Sequence, residues 1–187
     1  DFRRSRGLGD VYKRQLWAGP WMLNITGYTP LQSATGLFWI NITMLISFLI
    51  WGYVLPKISE YGISSIKLIK LGLPISYFSL FLIIYFGNNA GAFLFTLYIM
   101  TSIVISLTQP AIALNFSKNL AGKSLTSYNV FLFSGTFFMQ WGIGLVIDLC
   151  NNKGFDIVSS YRISFSVFLI LCVLSYIFFI YLNKNEN

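Results

Sequence analysis

The stretch Arg162–Leu182, RISFSVFLILCVLSYIFFIYL, decides the class of this chain. Beyond Arg162 it carries no charged residue. At a rise of about 1.5 Å per residue its length matches the roughly 30 Å hydrocarbon core of a bilayer. Working back toward the N-terminus, Thr35–Leu55, Ile66–Phe86, Gly91–Leu114 and Tyr128–Leu149 are of similar length and apolarity, with Lys67, Lys70 and Asp148 near span ends. The connectors between them are too short to hold a soluble domain. The expected fold is all-α, a polytopic transmembrane helix bundle of five complete spans.

Composition supports that class. Of 187 residues, 56% are hydrophobic and only 10% charged, with a mean hydropathy of +0.68, which excludes an ordinary soluble domain. The 18 Phe and 11 Tyr exceed what one small core can enclose, but lipid can solvate them.

A formal charge of +7 would ordinarily point to nucleic acid or an acidic surface, but residues 1–15 distort it. As protein, Asp1–Gln15 reads as a juxtamembrane basic arm attracted to anionic lipid. As DNA, Asp10-Val11-Tyr12-Lys13-Arg14-Gln15 back-translates to GAT GTG TAT AAG AGA CAG, which resembles the transposon mosaic end used in sequencing libraries. Ser5-Arg6-Gly7-Leu8-Gly9 continues in the same frame as the adjoining read adapter. The segment is therefore expected to be adapter-derived, non-native and disordered, and no function is read from it. It holds 5 of the 13 basic and 2 of the 6 acidic residues, so the remainder carries 8 and 4, a net +4. Leu16 is then expected to be an arbitrary cut, with further chain upstream, and Asn183–Asn187 a natural C-terminus. Nucleic acid is not an expected partner; the lipid bilayer is.

Leu16–Leu23 is too short to span and reads as the tail of a sixth helix, followed by an uncharged loop Asn24–Ser33 in which Gly27 and Pro30 form the turn. Six of the eight remaining basic residues (Lys57, Lys67, Lys70, Lys118, Lys123 and Lys184) fall on the side of the C-terminus, against Lys153 and Arg162 opposite. The positive-inside rule then predicts a cytoplasmic C-terminus. Trp17, Trp21, Trp39 and Trp51 are expected at membrane interfaces. Trp141 lies inside a span, where it either packs between helices or lines a cavity.

Polar groups within a membrane tend to face the bundle interior. Asn41 and Thr43 on the first complete span, Thr96, Thr101, Ser102, Thr108 and Gln109 on the third, and Asn129, Ser134, Thr136 and Gln140 on the fourth mark those three as internal. Gly135 and Gly142, seven apart, are candidates for close helix packing, as is Gly144. The second and fifth spans lack amides and are expected at the periphery. Asp148 and Arg162 lie at span ends, as interface charges or as a pair pinning two helices. A membrane-embedded enzyme would need a nucleophile, metal ligands or paired carboxylates. The chain has no His, and Cys150 and Cys172 suit apolar packing. No catalytic residue, metal or cofactor is expected. A non-catalytic membrane scaffold is a further alternative.

Several stretches carry a family likeness: Leu16-Trp17-Ala18-Gly19-Pro20-Trp21, the loop-like Asn115–Leu125 with Leu120-Ala121-Gly122-Lys123, and Gln140-Trp141-Gly142-Ile143-Gly144-Leu145-Val146-Ile147-Asp148. Together they resemble the C-terminal half of the major facilitator superfamily. The match runs from Leu16 to the end, as the tail of helix seven and helices eight to twelve. In the loop motif expected after helix eight, Gly52 and Lys57 remain but Pro56 stands at the acidic position. The resemblance implies a twelve-helix, two-half transporter fold in the bacterial inner membrane, alternating access for a small solute, and the missing N-terminal half as partner. The cavity-lining candidates are Trp17, Asn41, Gln109, Gln140 and Trp141.

Overall fold

The computed structural model describes residues 17–183; the adapter-like segment 1–15, Leu16 and the tail 184–187 with Lys184 lie outside the described residues. Those residues form helices and turns with no strand among them. The helices are α1 (Ala18–Asn24), α2 (Pro30–Glu60), α3 (Ser65–Phe86), α4 (Ala92–Ser102), α5 (Thr108–Asn115), α6 (Lys118–Asn152) and α7 (Ile157–Leu182). A 3-10 segment, Ile103–Leu107, joins α4 to α5 into one span. Five helical units, α2, α3, α4–α5, α6 and α7, are each long and apolar enough to cross a membrane.

Local chemistry sets the helix ends. Thr29 caps α2 through a reciprocal box, its hydroxyl accepting the Gln32 N–H at 3.2 Å while the Gln32 side-chain oxygen accepts the Thr29 N–H at 2.9 Å. Pro30 is thus the first helical residue rather than a loop turn, where its missing N–H costs nothing. Two helices run further than expected. Gly52, Pro56 and Lys57 lie inside the last turns of α2, not in a loop, and the Lys57 ammonium sits 4.0 Å above the Tyr53 ring. Likewise α6 begins at Lys118, so Leu120–Lys123 is helical where a loop was expected. Only Phe116 and Ser117 separate α5 from α6.

The turns before α3 and α7 are copies of one design. Gly62 (φ +77°) and Gly154 (φ +85°) take left-handed backbone that a side chain disfavours, and two residues later Ser64 and Asp156 cap the new helix. The sixth residue after each cap is basic, and each reaches the far end of the other helix. The Arg162 guanidinium donates to the carbonyls of Ile84 (2.9 Å) and Tyr85 (3.2 Å), and the Lys70 ammonium donates to that of Asn183 (2.8 Å). Cations so placed satisfy orphan carbonyls and oppose the negative helix end. Arg162 therefore pins α7 to α3. A third tie joins the same helices. Pro74 has no N–H to offer the Lys70 carbonyl, and the Tyr176 hydroxyl donates to that carbonyl at 2.6 Å.

In the third span, Pro110 cannot donate to the carbonyl of Ser106 and crowds it; the preceding turn tightens to 3-10. Thr108 uses its hydroxyl on the Ile105 carbonyl and on the Tyr128 hydroxyl of α6, the latter at 2.8 Å.

The centre of the bundle is only partly where the amides pointed. The second span, α3, is the most enclosed, with 28% of its most apolar 18 residues buried, followed by the third, α4–α5, with 22%, against 11% each in α2, α6 and α7. The third and fifth spans thus lie as expected, and the first, second and fourth do not. Small residues permit the enclosure of α3. A Cβ on Gly72 would stand 2.9 Å from both Val104 methyls, and the buried Ser76 and Ser79 return their hydroxyls to Leu73 and Ile75 of their own helix. Gly36 of α2 is as tight, 2.9 Å from Ala92 and Met22. Trp21, expected at a membrane interface, is fully enclosed among Phe95, Tyr161 and Phe165, with ring centroids 4.8–6.0 Å away.

Candidate functional site

Where α1 meets α6 and α7, two cavities share one wall. The indole of Trp17 forms that wall, held by three contacts. Its Nε1–H donates to the main-chain carbonyl of Gln140 at 3.2 Å, and its edge meets Tyr161 at 6.1 Å between centroids. Gly144 of α6 brings its backbone so close that a Cβ would stand 3.3 Å from the ring.

On one side lies a cavity of about 360 Å³ whose lining includes Asn24, Asp148, Asn151 and Tyr161. It opens at the end of the bundle that carries Gly154. The Asn24 amide donates to the Tyr161 hydroxyl at 3.2 Å, so α1 and α7 are joined by a polar contact within this chamber. Deeper in the bundle, on the other face of Trp17, lies a larger cavity of about 640 Å³. Its walls come from all four span units around α1, with Phe95 and Tyr98 from α4, Phe165 and Phe168 from α7, Ile40 from α2 and Leu80 from α3. The remaining side is α6, which presents Gln140 together with the exposed Phe131, Gly135 and Thr136, so the cavity is open along that helix.

Of the five residues expected to line a cavity, Trp17 and Gln140 meet at this site. The other three stand apart from it. Asn41 is exposed and spends its amide on the Leu37 carbonyl one turn back, at 2.7 Å. Gln109 is exposed at the start of α5, and Trp141, 52% exposed, points away from both linings. Among the glycines, Gly144 is a close contact, whereas space is open beyond Gly135 and Gly142.

Sequence reasoning passed over the aromatic wall. Tyr161, Phe165 and Phe168 do recur at helical spacing along one face of α7. In a chain so rich in Phe and Tyr, however, that stripe cannot be told from a lipid-facing one without the neighbouring helices.

Charge is confined to the shallow end. Asp156, just outside the membrane-spanning part of α7, accepts the Ser159 N–H at 3.0 Å, and hydrogen bonding to the Ser159 side chain first and to this N–H second holds its carboxyl below the usual carboxylate range. Chemically, the site offers a polar antechamber, an aromatic partition and a deeper apolar chamber. No family model, curated protein or solved structure matches the chain.

Proposed function

We propose that the chain is the solute-handling C-terminal part of a secondary transporter, moving a small molecule across the bacterial inner membrane by alternating access, with its C-terminus in the cytoplasm. The observation that carries this reading is the pair of chambers separated by Trp17 within a bundle of membrane-length helices. A solute that entered the polar chamber would reach the deeper one when this ring swings aside, and the ring is retained by a single hydrogen bond and edge contacts. The likeness of Gln140–Asp148 and the Trp17 segment to the major facilitator superfamily supports the same reading, as does the bias of Lys57, Lys67, Lys70 and Lys123 toward one end. In that family arrangement the exposed faces of α2 and α6 would meet an N-terminal half.

The test is flux. The complete open reading frame is reconstituted in proteoliposomes and screened for uptake against a panel of labelled metabolites and drugs. A transported solute should lose most of its flux on Trp17→Ala and on Gln140→Ala. Flux unchanged in both variants would refute the site assignment, and no flux of any solute would refute the transporter reading.

A further inference from the structure

The chemistry of the deeper chamber narrows what it can hold. Among the described residues, its lining contains no Asp, Glu, Lys or Arg. The Trp17 indole N–H is already taken by the Gln140 carbonyl, and the Thr136 hydroxyl by the Leu132 carbonyl at 2.8 Å. That leaves the Gln140 amide and the Tyr98 hydroxyl as polar groups at an otherwise apolar surface. An ion placed there would exchange part of its hydration for a lining without an opposite charge, at a cost on the order of several kcal/mol. A volume of about 640 Å³ falls within the range of small-molecule sites.

Six of the sixteen lining residues are aromatic: Trp17 ahead of α1, Phe95 and Tyr98 of α4, Phe131 of α6, and Phe165 and Phe168 of α7. Ring edges and faces presented from several directions match a flat aromatic solute better than a flexible acyl chain, because aromatic pairs gain from edge-to-face and offset contacts. An acyl chain would also lose many rotors on entering a chamber of this shape.

We infer that the deeper chamber is a binding site for an uncharged aromatic solute, seated beneath Trp17 and against the glycine face of α6. The inference rests on the transporter reading for its purpose and on the lining alone for its specificity. Gly135 supplies the means of testing it. It lines the chamber, yet nothing stands within 4 Å of a Cβ built upon it. A Cβ there is accommodated without displacing a neighbour, and a larger side chain would extend from it into the space of the chamber. Gly122, on the same helix and equally open, lies outside it.

The complete open reading frame is purified into lipid nanodiscs. Binding of labelled 2-naphthol, 2-naphthoate and 2-naphthylmethylammonium is measured by equilibrium dialysis against empty nanodiscs. Neutral 2-naphthol should bind saturably, and each charged analogue at least about tenfold more weakly. Gly135→Phe should weaken 2-naphthol binding by about tenfold or more, while Gly122→Phe leaves it unchanged. Absence of saturable 2-naphthol binding, equal binding of either ion, or indifference to Gly135→Phe would overturn the inference. Equal competition by 1-decanol would assign the chamber to a lipid chain instead and would also overturn it. Neutral binding without flux in proteoliposomes would leave this inference standing and remove the transporter reading. Flux of an ionic solute without 2-naphthol binding would do the reverse.

Discussion

The contact between Tyr176 and Lys70 allows a quantitative test of how this bundle manages a proline within a membrane helix. Pro74 deprives the Lys70 carbonyl of its helical donor, and the Tyr176 hydroxyl of α7 takes the place at 2.6 Å. Interhelical hydrogen bonds in membranes average only about 0.6 kcal/mol, because separated helices find other partners for the same groups. Here the separated α3 would still contain Pro74, so the carbonyl would remain without a helical donor. Tyr176→Phe should therefore cost more than that average, about 1–2 kcal/mol, toward the range for an unmade buried bond. Pro74→Ala restores a backbone N–H to that carbonyl. In that background the Tyr176→Phe cost should drop to about 0.5 kcal/mol or less, giving a coupling energy of about 1 kcal/mol. The four proteins are compared by SDS-driven unfolding from mixed micelles, followed by tryptophan fluorescence and near-UV circular dichroism. Equal Tyr176→Phe costs in the two backgrounds would refute the substitution of hydroxyl for amide. So would a cost below about 0.3 kcal/mol with Pro74 present.

Two further outcomes follow from other contacts. Gly72→Ala places a methyl 2.9 Å from Val104 and should destabilise the bundle by about 1–3 kcal/mol in the same assay, whereas Val104→Ala in the Gly72→Ala background should recover most of the loss; failure of the second change to rescue the first would show that α3 does not press on the 3-10 segment there. Asp156 holds its proton less tightly folded than unfolded, so its cap stabilises α7 at neutral pH and that contribution fades as pH falls through the folded pKa, below the ordinary 3.8. Asp156→Asn keeps a cap but should flatten this acid-side loss, read as amide exchange at Ser159 and Ser160 between about pH 5 and pH 2.5; a pH profile unchanged by the substitution would refute the assignment.

The helices themselves were plain in the sequence. Ile66–Phe86 and Gly91–Leu114 reappear almost residue for residue in α3 and α4–α5, since runs of this length and apolarity permit little but a membrane-length helix. The helices α2, α6 and α7 run further than apolarity predicts, α7 starting at Ile157, before Arg162. In α2 and α6 apolarity fades before the helix does, and capping by Thr29 and a polar but helix-compatible Lys118–Ser127 carry the helix on. Gln140 is marked in the sequence as an amide inside an apolar span, and the family resemblance adds Trp17, but the carbonyl that holds the Trp17 ring is main-chain and carries no sequence signal. Asn41 bears the same mark as Gln140, yet it satisfies its amide on its own helix and so has no need of an interior.

From sequence alone, the chain is determined as five membrane-length helices joined by short capped turns, with its charges kept to the ends. Which helix lies at the centre was decided only by the tertiary structure. Amides mark a penalty for facing lipid, and that penalty can be met within a single helix. Close packing depends instead on how little a side chain projects. For that reason Gly72, Ser76 and Ser79 draw the amide-free α3 into the middle, between the 3-10 segment and α7. The chamber beneath Trp17 likewise exists only once aromatic residues from separate spans converge on it, a juxtaposition no single helix contains.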